Sequence, residues 1–170
     1  MTGDTPLILG ENDSVYTLSD PAHFISASAK MIRQGRRHLK IFSANLDQAL
    51  FNASPIIEAI SGFARANRLS KVQILAFNIK SINFHRHHLI ALCRRLSTSI
   101  EVKVCTIEDE DEEPLYTLVD DCGIIFQENL KHYQGWACFN HPRRVKILGQ
   151  QFDTAWNKGV RHSEFRQFQI

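Results

Sequence analysis

The sequence predicts an α/β domain with a mixed, mostly parallel sheet flanked by helices on both faces. Three observations predict it. Between about residue 20 and residue 105, stretches of helical apolar spacing alternate with short apolar runs. Those runs lie too far apart for hairpins, so each helix serves as a crossover between parallel strands. An acidic turn, Asp120-Asp121-Cys122-Gly123, then separates two apolar runs closely enough to make one antiparallel pair.

Each element has its own signal. Residues 1–19 are polar and weakly periodic, and read as a lead-in. Asp20-Pro21 is a helix start, an N-cap acid followed by a proline at the first helical position. Phe24, Ile25, Ala29 and Ile32 follow at helical spacing through about Arg36. Leu39–Ser43 is a short apolar run between basic residues, hence a buried strand. Ser54-Pro55 opens a second helix with Ile56, Ile57, Ile60, Phe63 and Ala64 on one face, and Val72–Phe77 is the next strand.

Ile82, His85, Leu89, Leu92, Cys93 and Leu96 predict a third helix that ends near Ser97. Ile100–Cys105 alternates as a strand does, with Glu101 and Lys103 outward. Leu115–Val119 and Gly123–Phe126 form the hairpin around the acidic turn, followed by a loop over Gln127–Gly135 and a short strand at Trp136–Phe139. His141-Pro142 opens the last helix, with Val145, Leu148, Phe152 and Trp156 inward. The organisation expected is one domain over 20–158 with a tail over 159–170.

Composition bounds the function classes. Hydrophobic content of 44% and charged content of 22% suit a globular core. No apolar run approaches the roughly 20 residues of a membrane span. The start, Met1-Thr2-Gly3-Asp4, lacks the basic and apolar regions of a signal peptide, so cytoplasmic residence is the expectation. Cys93, Cys105, Cys122 and Cys138 are widely spaced, which argues against a zinc knuckle or a redox pair. The net charge of +2 is unevenly spread: residues 1–105 carry 13 Lys/Arg against 7 Asp/Glu, and residues 106–170 carry 7 against 11. Six of those acids form one run, Glu108-Asp109-Glu110-Asp111-Glu112-Glu113.

The strand, acidic turn, returning strand and late helix between Glu113 and Trp156 resemble the C-terminal half of a phospholipase D-like domain. Further pieces in the same order are Ile41-Phe42-Ser43-Ala44-Asn45-Leu46-Asp47, His87 to Leu96, Leu118-Val119-Asp120-Asp121, Tyr133-Gln134-Gly135 to Phe139-Asn140, and Phe152 to Trp156. Together they are similar to a bacterial family of phospholipase D-like domains sometimes joined to GNAT acetyltransferases. The resemblance implies the phospholipase D-like fold over roughly Pro21 to Trp156. It also implies a homodimer, since single-motif members pair across a two-fold axis.

The family motif is His-x-Lys-x4-Asp followed by Gly-Ser-x-Asn. With Asp120 as the motif aspartate, the histidine position is Glu113 and the lysine position is Leu115; with Asp121, they are Pro114 and Tyr116. Neither register supplies the nucleophile or the phosphate-holding lysine. Gln127-Glu128-Asn129 stands where the second motif stretch is expected. The resemblance thus implies a fold whose family chemistry is missing.

Other residues are candidates by type and position. His87, with Arg94 and Arg95 on one helix, could bind an anion, or could form a solvated basic face. His85-Arg86-His87-His88 has no complementary ligand, so no metal is expected; His85 falls on the apolar stripe, as a core histidine would. Asp120 and Asp121 supply the turn, and Asp120 with His132 is the pair left for unorthodox catalysis. Asp47 suits a cap for Gln48–Phe51 or a ligand contact. Tyr133 and Asn140 flank the expected mouth of the cleft, with packing as their alternative role.

Three readings follow. The leading one is a catalytically degenerate domain that serves as a binding or interaction module for a phosphate-bearing ligand or a protein partner, contacted through His87, Arg94 and Arg95. The second is a hydrolase using His87 or His132 with Asp120. The third is nucleic-acid binding on the basic helix. No pattern asks for a cofactor.

Overall fold

A computed structural model describes residues 6–165; residues 1–5 of the expected lead-in and 166–170 of the expected tail lie outside the described residues. The elements run β1 (Val15–Leu18), α1 (Pro21–Gln34), β2 (His38–Ser43), α2 (Gln48–Phe51), α3 (Ser54–Ala66), β3 (Lys71–Ala76), a 3-10 turn at Ile79–Ser81, α4 (His88–Arg95), β4 (Ile100–Val104), β5 (Leu115–Val119), β6 (Gly123–Asn129), β7 (His132–Cys138), α5 (Pro142–Lys158), β8 (Val160–Arg161) and a 3-10 turn at Ser163–Phe165. They build one sheet in the order β1-β7-β6-β5-β2-β3-β4-β8.

The sheet is mixed, but not mostly parallel as the sequence predicts. Only β2–β3 and β3–β4 are parallel; the other five neighbouring pairs are antiparallel. The crossovers were legible from helix spacing. The antiparallel half comes from connections too short to cross over, and from two edge strands, β1 and β8, that lie inside the expected lead-in and tail.

Helices cover both faces. On one, Phe24, Met31 and Ile32 of α1, Ile60 and Phe63 of α3, and Leu89 and Leu92 of α4 pack on Leu39, Ile41, Val72, Ile74 and Val102. Right-handed parallel crossovers put α3 and α4 on that same side. On the other, Val145, Leu148, Phe152 and Trp156 of α5 cover Phe42, Leu75, Tyr116, Leu118 and Ile124. The central strand β2 is sandwiched, which explains its apolar run. Its one charge on the α5 side, Lys40, is 2.9 Å from Asp153.

The caps at Asp20 and Asp47 follow the sequence, while at Ser54-Pro55 the N-cap residue of α3 is Ala53 and no side chain caps the helix. Asp20 accepts from the His23 amide at 2.8 Å, and Pro21 is the first residue of α1. Asp47 caps α2 by accepting from the Ala49 amide at 3.0 Å.

Two local predictions are corrected. The expected loop at Gln127–Gly135 is mostly strand: β6 and β7 meet in a tight hairpin whose turn is held by the Asn129 side-chain carbonyl, which accepts from the amides of Lys131 and His132. Gly135 permits this pairing. A Cβ there would lie 1.8 Å from the Phe126 carbonyl oxygen. The third helix also starts later than its apolar spacing suggests, at His88 rather than Ile82. Asn83 accepts from the His85 amide in a side-chain turn, and Asn52 accepts from the His88 amide at 2.7 Å. Both divert the backbone from the helix.

Candidate functional site at the β2–β5 switch point

At its centre β2 has a parallel neighbour on one side and an antiparallel one on the other. Such a reversal leaves a crevice beyond the strand ends. Here it is a cavity of about 230 Å³, with polar groups from Ser28, Ser43, Asn45, Asp47, Thr117, Gln127 and Tyr133, and an apolar floor that includes Phe24, Phe42, Phe51 and Ile125.

Local geometry fixes the polar rim. After β2 the chain turns sharply at Leu46, whose φ of +51° is left-handed. Two bonds hold that turn. The Ser43 hydroxyl accepts from the Leu46 amide at 2.9 Å, and the Leu46 carbonyl accepts from His87 Nε2 at 2.6 Å. Asp47 then starts α2 with one carboxylate oxygen and accepts from the Tyr133 hydroxyl with the other. Burial, with the Asp47 carboxylate adding to it, pushes the Tyr133 phenol up to about 12. Tyr133 is therefore the donor of that bond at neutral pH.

Across the cavity, Thr117 and Leu115 come from β5 and Gln127 from β6, where Leu115 pairs with Gln127. The Gln127 amide donates to the carbonyls of Asn129 and His132 at 2.9 and 3.2 Å. The acidic run reaches the same edge between β4 and β5, where Asp111 lies 3.2 Å from Lys131. Burial, and then Asp109, raises the Glu113 carboxyl above its usual range. Asp47, Tyr116 and Tyr133 are the ionisable groups of the lining, which holds no imidazole, lysine or arginine.

The structure disperses the remaining candidates. Asp120 lies at the opposite edge, beside the start of β2. Its carboxylate accepts from the amides of Arg36, Arg37 and His38 at 2.8–3.2 Å, and its own amide donates to the His38 carbonyl at 2.7 Å. It is a backbone latch between β5 and the α1–β2 connection. Its left-handed φ of +53° suits an aspartate in a turn.

His132 stands exposed on the β6–β7 hairpin at the cavity edge, its Nδ1 3.1 Å from Asn129. The sheet thus separates it from Asp120. Asn140 follows β7 at the Asp120 edge, where the neighbouring His141 amide donates to the Cys122 carbonyl at 2.8 Å. Tyr133 and Asn140 therefore do not share a site.

His87 is not on a solvated helix face with Arg94 and Arg95. It precedes α4 and is buried, 3% exposed, with Nδ1 unpartnered. Burial lowers its pKa, offset in part by the bond to Leu46. Arg94 and Arg95 lie a helix length away, and Arg94 donates to the Glu164 carbonyl at 2.7 Å. His85, read as a core histidine, is exposed. The apolar stripe runs on N-terminal to the helix, which begins at His88.

Ser28, Ser43, Asn45, Thr117 and Gln127 were not singled out by the sequence as a polar rim. Ser43 and Asn45 carry a signal only as part of the stretch Ile41–Asp47, and Gln127 only as part of Gln127-Glu128-Asn129.

The family model described as "Domain of unknown function (DUF7931)" matches residues 20–168. The chain belongs to that family. No curated protein matches the DUF7931 chain in sequence. Solved structures with the same fold include TrmBL2, an archaeal chromatin protein, at 16% identity and TM-score 0.62, covering 94% of this chain and 58% of that one. Nuc, a phospholipase D family member from Salmonella typhimurium, is 15% identical with TM-score 0.59, covering 88% of this chain and 97% of its own. NucT from Helicobacter pylori is 14% identical with TM-score 0.62, covering 88% and 98%. The DUF7931 fold is phospholipase D-like. This chain spans little more than half the length of the chromatin protein. Among the described residues, no helix is long and apolar enough to cross a membrane.

Proposed function

We propose that this domain binds a small ligand in the β2–β5 cavity and does not cleave phosphodiesters. The lining carries the reading: its ionisable groups are one carboxylate and two phenols, with no imidazole to attack phosphorus and no cation to hold its oxygens. Leu115, the lysine position in the Asp120 register, contributes an apolar side chain to that lining. The hydrolase reading needs His87 or His132 beside Asp120, and the separation of all three counts against it.

The same lining narrows the ligand. Asp47 inside and the acidic run outside repel a phosphate, so the phosphate-bearing ligand suggested by the resemblance is a poor fit to this cavity. A small amine or ammonium compound suits one carboxylate set among the rings of Phe24, Phe42, Phe51 and Tyr133. Ion pairing is then joined by a cation–ring attraction of about 0.5–2 kcal/mol. Thermal shift with ethanolamine, choline, glycerol and inorganic phosphate tests this. The amines should stabilise the protein and lose that effect in Asp47→Asn, while phosphate should do nothing. Stabilisation by phosphate alone contradicts the reading.

The proposal includes self-association, with the acidic run of one copy against α4 of another. A monomer mass in solution removes that part. Nucleic-acid binding is favoured by a different surface.

A further inference from the structure

Parallel crossovers bring the C-terminal ends of α1, α3 and α4, and the starts of β2, β3 and β4, to one edge of the sheet. The backbone ties them together there. The Lys71 amide donates to the Arg37 carbonyl at 2.9 Å, the Ser70 hydroxyl to the Arg36 carbonyl at 2.7 Å, and the Val72 amide to the Ser99 carbonyl at 3.0 Å. This edge is opposite the cavity and the acidic run.

Its side chains are strongly basic. Arg33, Arg65 and Arg95 sit in last helical turns, where any helix favours cations. Arg36, Arg37, Arg68 and Lys71 lie beyond the helices, so helix electrostatics does not account for them. All seven are exposed, and among the described residues none has a carboxylate within ion-pair distance. Most carboxylates nearby are committed elsewhere: Asp120 to backbone amides, Glu101 to Arg161 at 2.8 Å, and Glu164 to Arg94 at 3.4 Å. Asp121 is the exception. The lining of a groove along this edge includes Lys71, Ser97, Thr98, Ser99 and Arg161, with Glu101 paired to Arg161.

We propose that this edge docks the phosphate backbone of duplex nucleic acid, independently of the cavity. Guanidinium forks, an ammonium and hydroxyls are the groups that hold phosphates without reading bases. Unpaired like charges repel one another in the folded state, and a polyanion relieves that repulsion. A lipid surface is a poorer match, because exposed large apolar side chains are few here: Leu69, and Ile8 in the segment bonded to the end of α1. A single strand is poorer too. No large aromatic side chain is exposed among the described residues, so bases have nothing to stack on.

The test is anisotropy of a labelled mixed-sequence duplex, with the matching single strand and phosphatidylserine vesicles as competitors, over a salt series. The full chain is compared with an Arg36→Gln/Arg37→Gln/Arg68→Gln variant of matched melting behaviour. Duplex affinity should fall steeply with salt. The variant should bind at least about tenfold more weakly, with a log–log salt slope smaller by about 2.7. No duplex binding at about 50 mM salt, equal affinity of the variant, or preference for the single strand or vesicles overturns the proposal.

Discussion

The Tyr133 hydroxyl donates to the Asp47 carboxylate across 86 positions of sequence, joining the β6–β7 hairpin to the turn after β2. One side-chain pair thereby closes the cavity rim from both halves of the chain, while Asp47 also caps α2. Tyr133→Phe should cost about 1 kcal/mol, and Asp47→Ala somewhat more, since it also removes the cap of α2. Because they remove the same bond, the double variant should cost clearly less than the sum. Urea unfolding of the four proteins measures this cycle. Strict additivity would mean that the pair does not hold the rim.

His87 gives a pH signature. In the unfolded chain it titrates near its ordinary 6.5; in the fold, burial lowers its pKa. As pH falls below 6.5, the unfolded chain takes up a proton that the folded one refuses. Stability from this residue is thus present above pH 6.5 and lost as pH falls towards the lowered folded value. His87→Gln can still donate to the Leu46 carbonyl but cannot titrate. Melting curves from pH 8 to 5 should show the variant losing less stability than the natural chain.

Asp120 is predicted to act on stability and not on the cavity. Asp120→Ala strips the acceptor from three backbone amides and should cost about 1–2 kcal/mol, because water can reach those amides. Small-ligand affinity should be unchanged in the folded fraction. A change in affinity measured by calorimetry, at matched folded concentration, would overturn the assignment of Asp120 as a latch.

Gly135→Ala should be the most damaging of these substitutions. The added methyl would overlap the Phe126 carbonyl, and backbone cannot move aside as a flexible side chain does. The expected loss is about 3 kcal/mol or more, read by thermal unfolding.

The parts legible in the sequence are those set by local physics. Asp20-Pro21 and His141-Pro142 announce helices through caps, and the spacing of Ile56, Ile60 and Phe63 gives the buried face of α3. What stayed hidden depends on distant partners. β1 is a strand because β7 offers it a free edge, and its own sequence has no apolar alternation. His87 was assigned to a helix because Ile82 extends the stripe, yet Asn83 and Asn52 compete for that backbone. Asp47 and Tyr133 were each legible as candidates. Their meeting was not, since nothing local in either segment encodes a pairing between β2's exit turn and β7.

The cavity is proposed to bind and not to cleave. That proposal is tested most directly by incubating the purified chain with an activated phosphodiester and with duplex DNA, beside Asp47→Ala and His132→Ala. No turnover above the protein-free control is expected in any of the three. Turnover that persists through repurification and disappears in either variant would contradict the proposal.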